Sequence, residues 1–511
     1  MEKSRKGMLK MVFSRTMLIT VLLLLNFALA FLMVFKLLEG LPILFGSVIA
    51  FTAVMELIIL NSRDHVNFKL TWCVIVAVLP LFGAAMYFLI RCDLGNRVNK
   101  RLVDASIRTA EPFIPEQKEL LRKIEGEDKN LYNLATYLDR YALAPVYDNT
   151  AVKYFPQGEE KFAELLVQLE QAEKFIFMEY FLISEGYMWN TILEILERKA
   201  AAGVEVRVLY DGMNAYYNLP YSYPKQLEKK GIRCKMHAPV RPFMSTHYNN
   251  RDHRKIVVID GHTAFTGGIN LEDCYINREH PYGHWKDTAV MVQGDAVRSF
   301  TLLFLQMWNA TETKREFVPY LLPAKGPEAE GYVIPYGDTP TDRENVGETV
   351  YLNMINQAKR YVYIMTPYLI LDAEMSAALK LAAKRGVEVQ LILPHIPDKK
   401  SAFAMAKSHY RELIEAGVNI YEYTPGFVHA KVFLSDDRHA VVGTINLDYR
   451  SLYHHFECAA YLYKVPALAD IWEDFRKTRE MSQLVTMEEV KKESPLVRSL
   501  GALLKVFAPL M

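Results

Sequence analysis

The sequence predicts an α/β enzyme built as two related sheet-and-helix halves forming one catalytic unit, behind a helical transmembrane head. Three observations carry this expectation. Two segments repeat in order and spacing, a five-position motif occurs once in each copy, and an apolar N-terminal region precedes a chain whose charges balance. The 511 residues hold 60 basic and 59 acidic side chains, a net charge of +1. Such a balance argues against a dedicated nucleic-acid binder, which shows a basic excess. A mean hydropathy of +0.01 is high for a chain that is 23% charged. The excess is local: between Met17 and Leu60 the charged residues are Lys36, Glu39 and Glu56. The length is too great for one core.

The head is expected at 1–92. Residues 17–35 form an uncharged apolar run of transmembrane length, since about 20 residues span the hydrocarbon core. Residues 43–60, weakened by Glu56, and 70–90, interrupted by Pro80 and Gly83, are the second and third expected spans. A cleaved signal peptide is the competing reading of the first run, but no clear small-residue cleavage site follows it and further apolar runs do. Lys3, Arg5, Lys6, Lys10 and Arg15 before the first run hold the N-terminus in the cytoplasm, and Arg91, Arg97, Lys100 and Arg101 pull the far end to the same side. Three full spans cannot satisfy both clusters. Either the Glu56 segment is re-entrant or interfacial, or the charge rule loses at one end. The expectation is a multi-pass membrane protein with a cytoplasmic catalytic part. Residues 93–147 read either as a charged connector or as the first layer of the soluble part.

The first half is expected at 148–325 and the second at 326–490. QAEKFIFMEY from Gln171 and AAAGVEVRVLYDG from Ala200 match QAKRYVYIMTPY from Gln357 and AAKRGVEVQLILPH from Ala382. In each, an apolar strand-like run, a helical stretch, a Gly break and a second apolar run follow in order. Buried strands alternating with helices suggest βαβ units and a sheet covered on both faces. A tail helix is expected at 491–511, with Leu496, Leu500, Leu503, Leu504 and Phe507 at helical spacing; it either docks on the core or lies on a membrane. The aromatic loop from Ala215 has the same two readings. Five cysteines without CxxC spacing give neither a disulfide framework nor a zinc site.

The chemistry lies in the motif. His253-Arg-Lys255, four residues, Asp260, six residues and Gly267-Gly268-Ile269-Asn270 occupy 253–270; His429-Ala-Lys431, Asp436 and Gly443-Thr444-Ile445-Asn446 repeat that spacing at 429–446. Residues i and i+2 of a strand share one face, so each His and Lys point the same way. Asp260-Gly261 is a hairpin signal that returns the chain toward the His-Lys pair, and the glycines permit close approach of a ligand or a neighbouring backbone. Two such hairpins supply two imidazoles, two ammoniums and two amides to one pocket. That inventory suits a phosphodiester. Lys255, Lys431, Asn270 and Asn446 would bind the phosphate, one imidazole attacks phosphorus, and the other protonates the leaving alcohol. Asp260 and Asp436 complete the catalytic candidates, although an aspartate at a turn equally suits a structural hydrogen-bonding role. Glu457 is a candidate to orient His429 or its partner, and Asp287, after Trp285, is its first-half counterpart. No metal is expected, because clustered carboxylates or Cys/His ligands are missing and a lysine stands beside each histidine.

These paired HxKxxxxD motifs resemble the phospholipase D superfamily over residues 147–485. LPLFGAAMYFL at Leu79, EYF at Glu179, NNRDHRKIVVIDG at Asn249, W-K-D at Trp285, GTINLDYRS at Gly443 and the terminal APLM are similar to bacterial cardiolipin synthases. The resemblance implies a bacterial cell-membrane phosphatidyltransferase with no metal or cofactor, acting on phosphatidylglycerol among membrane lipids, with no nucleic-acid partner. It implies that His253 forms a phosphatidyl-histidine and releases glycerol with His429 as acid. A second phosphatidylglycerol would then resolve the intermediate to cardiolipin. The residues alone are symmetric between the two histidines. A hydrolase, exchange with another head-group donor, and an inactive membrane scaffold are the alternatives.

Overall fold

The structure, a computed structural model, describes residues 42–92, 97–239, 250–323, 326–342 and 344–510, with 21, 23–26 and 28. They divide into two compact units, a small one within 1–98 and 506–511 and a large one formed by 99–240 and 249–505. The expected span at 17–35 lies outside the described residues except for those few positions, which are helical.

The small unit contains helices Pro42–Leu60, Val66–Val78 and Pro80–Cys92. The expected span at 70–90 is therefore corrected: it is a helical hairpin, not one rod. Pro80 has no N–H to continue the first helix but suits the first turn of the next. Gly83 then lets the second helix fold back until an added Cβ would touch the Val76 main chain. Trp72 and Tyr87 meet edge to face with ring centroids 5.6 Å apart, and Arg91 reaches Asp64 at 3.0 Å. Met55, Ile59, Val76 and Ala84 close this small core with Leu510 against it. Outward, Ile49, Val54, Leu57, Val66 and Val78 are exposed. Among the described residues no helix is long and apolar enough to cross a membrane.

The large unit carries two mixed sheets. The first half supplies β1 (Thr150–Phe155), β2 (Phe175–Tyr180), β3 (Glu205–Asp211), β4 (Arg233–His237), β5 (Lys255–Ile259), β6 (Thr263–Gly267), β7 (His284–Lys286) and β8 (Ala289–Gly294). The second supplies β9 (Tyr332–Asp338), β10 (Tyr361–Met365), β11 (Glu388–Pro394), β12 (Asn419–Tyr423), β13 (Gly426–Val428), β14 (Val432–Ser435), β15 (His439–Gly443), β16 (Glu457–Tyr463) and β17 (Ser482–Leu484). The orders β1-β8-β6-β5-β2-β3-β4 and β9-β16-β15-β14-β10-β11-β12 correspond strand for strand, and β17 extends the second sheet. Three strands of each run parallel through helical crossovers, and the motif hairpin adds antiparallel ones. The crossover helices Tyr187–Ala201 and Ala373–Lys384 each end two residues before a Gly break, Gly203 or Gly386, both at φ +92°, a conformation that glycine adopts without strain.

Alternation sets the layers. Ile256 and Val258 of β5 face a core shared with Val432 and Leu434 of β14, into which Phe300 and Phe304 of the helix Val297–Trp308 also pack. Val257 and Ile259 face outward under the helices Gly158–Gln171 and Tyr187–Ala201, and Phe433 does the same in the second sheet. From the 93–147 stretch, Val103 and Ala110 enter the shared core, while Leu131, Leu134 and Leu138 cover the second sheet.

Candidate active site

Main-chain bonds between the halves deliver the histidines. Asp252 bridges Phe456, and the His253 N–H then donates to the Phe456 carbonyl at 2.9 Å. On the other side β7 and β13 form a parallel ribbon that ends with Val428 opposite Lys286. There the His429 N–H donates to the Lys286 carbonyl at 2.7 Å. Phe456 and Lys286 therefore occupy equivalent places, and so do the residues after them, Glu457 and Asp287. The ribbon is pinned by the buried Lys286 ammonium, 2.8 Å from the Asp474 carboxylate.

The orienting carboxylates are exchanged between halves. His253 Nδ1 lies 2.9 Å from both Glu457 oxygens, and His429 Nδ1 lies 2.6 Å from Asp287 Oδ2. An Nδ1–H donated to a carboxylate leaves Nε2 of the same ring with a free lone pair. Burial holds His253 well below the ordinary imidazole value, more strongly than Glu457 raises it. Burial and the Lys431 charge bring His429 down to about 4. Both rings are thus neutral near pH 7. Burial would raise the Glu457 carboxyl, but the His253 imidazole and its hydrogen bond hold it below the usual carboxylate range.

Lys255 and Lys431 turn back on their own motifs. Lys255 Nζ donates to the His253 carbonyl at 2.6 Å; Lys431 Nζ donates to the His429 carbonyl and lies 2.8 Å from His429 Nδ1. Burial brings Lys255 down to about 8. Burial, with Lys255 opposing its charge, brings Lys431 to about 7. Each ammonium also feels both Asp287 and Glu457, so the two motifs share one electrostatic site.

Two of the expected catalytic residues are not in it. Asp260 and Asp436 stand at the far ends of β5 and β14 from the histidines, roughly 20 Å away at about 3.3 Å per residue. Asp260 accepts the backbone N–H groups of Glu173, Lys174 and Phe175 at 2.7–2.8 Å. Asp436 accepts those of Lys359, Arg360 and Tyr361 at 2.7–3.0 Å. Each also takes a left-handed φ, +53° and +56°, at the hairpin turn. They tie the motif hairpin to the neighbouring strand. Asn270 uses its amide internally, accepting from Leu182 N–H at 3.1 Å and donating to the Tyr275 hydroxyl at 2.8 Å. Asn446 Oδ1 has no hydrogen-bond partner among the described residues.

Several neighbours were not singled out by the sequence. The Thr444 hydroxyl donates to Glu457. At the equivalent Gly268 an added Cβ would collide with the Asp287 carboxylate, so the Gly-Gly and Gly-Thr variants of the motif follow the two carboxylates they serve. Phe181 packs 5.0 Å from the His253 ring and Tyr275 5.4 Å from the His429 ring, centroid to centroid. Lys161, buried and 2.9 Å from the Tyr180 hydroxyl, is brought down to about 7 by burial, with Asp287 opposing. His455 lies 3.6 Å from Glu457; its spacing of two from Glu457 was the available signal. Among the described residues, His253, His455 and Glu457 form one of two groups able to hold a metal ion, the other being Glu348, Asp372 and Glu374. At the first, Glu457 is already engaged by His253 and Thr444, and the lysines favour an anion.

Comparison with known proteins matches residues 165–308 and 351–479 to the family described as cardiolipin synthase, PLD-like domain. Residues 48–91 match the phospholipase D-nuclease N-terminal family. A cardiolipin synthase of Halalkalibacterium halodurans is 33% identical, covering 91% of this chain and 94% of that protein. An uncharacterised protein of Streptococcus mutans is 52% identical over 89% of this chain and 99% of its own length. Among solved structures, the phosphatidylserine synthase of Haemophilus influenzae shares the fold, with a TM-score of 0.57 at 15% identity over 75% of this chain and 98% of that one.

Proposed function

Since the chain belongs to the cardiolipin synthase family of phospholipase D-like proteins, we propose that it is a phosphatidyltransferase converting two phosphatidylglycerol molecules to cardiolipin and glycerol. The observation that carries this reading is the crossed pair of carboxylate-held imidazoles, His253 on Glu457 and His429 on Asp287, flanked by two buried lysines.

The negative charge of the bound phosphodiester raises the His429 imidazole, which takes up a proton at Nε2. His253 Nε2 attacks phosphorus, and the bond from phosphorus to the head-group glycerol oxygen breaks as His429 gives that proton to the oxygen. A phosphatidyl-histidine and free glycerol result. His429 Nε2 then takes the proton from the primary hydroxyl of a second phosphatidylglycerol. The resulting oxygen displaces His253, giving cardiolipin and restoring both rings. Lys255 and Lys431 neutralise the charge on the phosphoryl oxygens and the Asn446 amide N–H2 donates to them, while Asn270, engaged by Leu182 and Tyr275, holds the loop beside them. One phosphodiester replaces another, so no energy source is needed. The assignment of His253 as nucleophile rests on the family.

The exposed apolar side chains of the helix Pro42–Leu60 and of the hairpin after it support a lipid-contacting head in the bacterial cell membrane within 1–92. The catalytic halves, at 148–325 and 326–490, would lie on the cytoplasmic side, the side that the basic residues flanking the head favour. Purified full-length protein in phosphatidylglycerol–detergent micelles should yield glycerol and cardiolipin in equal amounts. Phosphatidic acid as the sole product would make it a hydrolase.

A further inference from the structure

The two catalytic imidazoles are not alone in the site. Counting back from the equivalent pair Glu457 and Asp287 by the matched main-chain bonds, His455 occupies the place that Trp285 occupies in the other half. Each lies against its histidine at the same separation: the His455 ring is 5.5 Å from His253 and the Trp285 ring 5.5 Å from His429. One side is thus furnished with a polar ring and the other with an indole.

His455 is more than nine-tenths buried, yet neither ring nitrogen has a hydrogen-bond partner among the described residues. His253 and His429 both spend Nδ1 on a carboxylate; the 3.6 Å between His455 Nδ1 and Glu457 is too long for a hydrogen bond. A neutral imidazole carries one donor and one acceptor, and a buried polar group without a partner calls for an explanation such as an absent ligand. Lys255 and Lys431 make that ligand an anion.

We infer that His455 is a phosphate-binding residue that donates to a non-bridging oxygen of the phosphoryl group held at His253. The inference rests on the phosphodiester reading of the site. In an in-line displacement the leaving alcohol departs on the side of phosphorus opposite the attacking nitrogen. The group beside His253 is therefore the retained phosphoryl, and the alcohol lies toward His429 and its indole. The imidazole donor sits where the oxygens are, and the apolar ring where the glycerol carbons pass.

The test uses full-length protein in detergent and inorganic phosphate as the probe, with affinity measured by calorimetry. His455→Ala and His455→Phe should each weaken phosphate binding about fivefold to tenfold, the effect of one lost hydrogen bond. His455→Asn, which keeps an N–H donor, should stay within about twofold of wild type on the same scale. If phenylalanine prevents folding, the alanine variant carries the comparison. Unchanged phosphate affinity in the alanine variant overturns the inference. So does a loss of turnover with unchanged affinity, which would make His455 a support for Glu457 instead. Phosphate binding does not depend on the lipid product. A protein that binds phosphate through His455 but makes no cardiolipin refutes the transferase reading alone; one that makes cardiolipin with His455-independent binding refutes only this inference.

Discussion

The two halves deliver a histidine by the same device and then surround it differently. A main-chain bond to a carbonyl of the other half fixes His253 and His429 alike. Around His253 stand a glutamate, the Thr444 hydroxyl and the His455 imidazole. Around His429 stand an aspartate, the bare Gly268 and the Trp285 indole. The shared parts are backbone and the differing parts are side chains. Duplication thus explains why two imidazoles meet, while the substitutions made since explain how they can take unlike tasks.

The largest effects should come from the histidines. His253→Ala and His429→Ala should each lower cardiolipin formation at least about a thousandfold. An aryl phosphodiester, whose leaving group needs no protonation, separates them: His429→Ala should regain at least about tenfold there and His253→Ala should regain nothing. The opposite pattern would exchange their roles.

Next come the carboxylates. Glu457→Gln and Asp287→Asn should lower kcat by roughly 10²–10⁴ with little change in KM, since each orients a ring and balances its charge. Only the aspartate defect should shrink on the aryl ester. The residues beside them follow. Gly268→Ala should displace Asp287 and lower kcat by roughly tenfold to a hundredfold. Thr444→Ala, which removes one hydrogen bond, should lower it about fivefold to tenfold. Equal losses from these two would break the asymmetry drawn above.

Titration gives a smaller, graded effect. Lys431 and Lys255 lose charge as pH rises through about 7 and about 8, so phosphate affinity should fall across that window. A bound anion raises both values, and phosphate binding at about pH 7.5 should therefore draw protons from the buffer. Calorimetry in buffers of different ionisation enthalpy measures that uptake. The smallest kinetic effect belongs to Asp260→Ala and Asp436→Ala. Each should destabilise the protein by about 3 kcal/mol through lost backbone partners, seen as a lower Tm, while kcat of the folded fraction is unchanged.

What the sequence made legible was local or repeated. The strands and the Gly breaks each follow from a few neighbouring residues, and duplication made them visible twice, whereas the Asp260-Gly261 turn signal stands in the first half and becomes Asp436-Asp437 in the second. The orienting pairs were not legible as pairs, because Glu457 stands 204 residues from His253 and Asp287 stands 142 from His429. Spacing within one motif says nothing about an exchange between two. Asp260 misled for a related reason. A carboxylate in a motif with His and Lys suggests chemistry, whereas a strand's length of separation puts it at the wrong end. In the head, composition showed apolarity but not the fold-back at Pro80, which depends on Gly83 meeting Val76.

The exchange of Glu457 and Asp287 also governs when the chain becomes dangerous. A ribosome releases His253 long before Glu457, so the nascent first half has an imidazole with nothing to orient it. On the mechanism proposed above, lipid cleavage would be withheld until the second half has folded against the first. The same lock binds their inheritance: neither copy can be lost, shortened or replaced on its own, because each keeps the other's histidine in order.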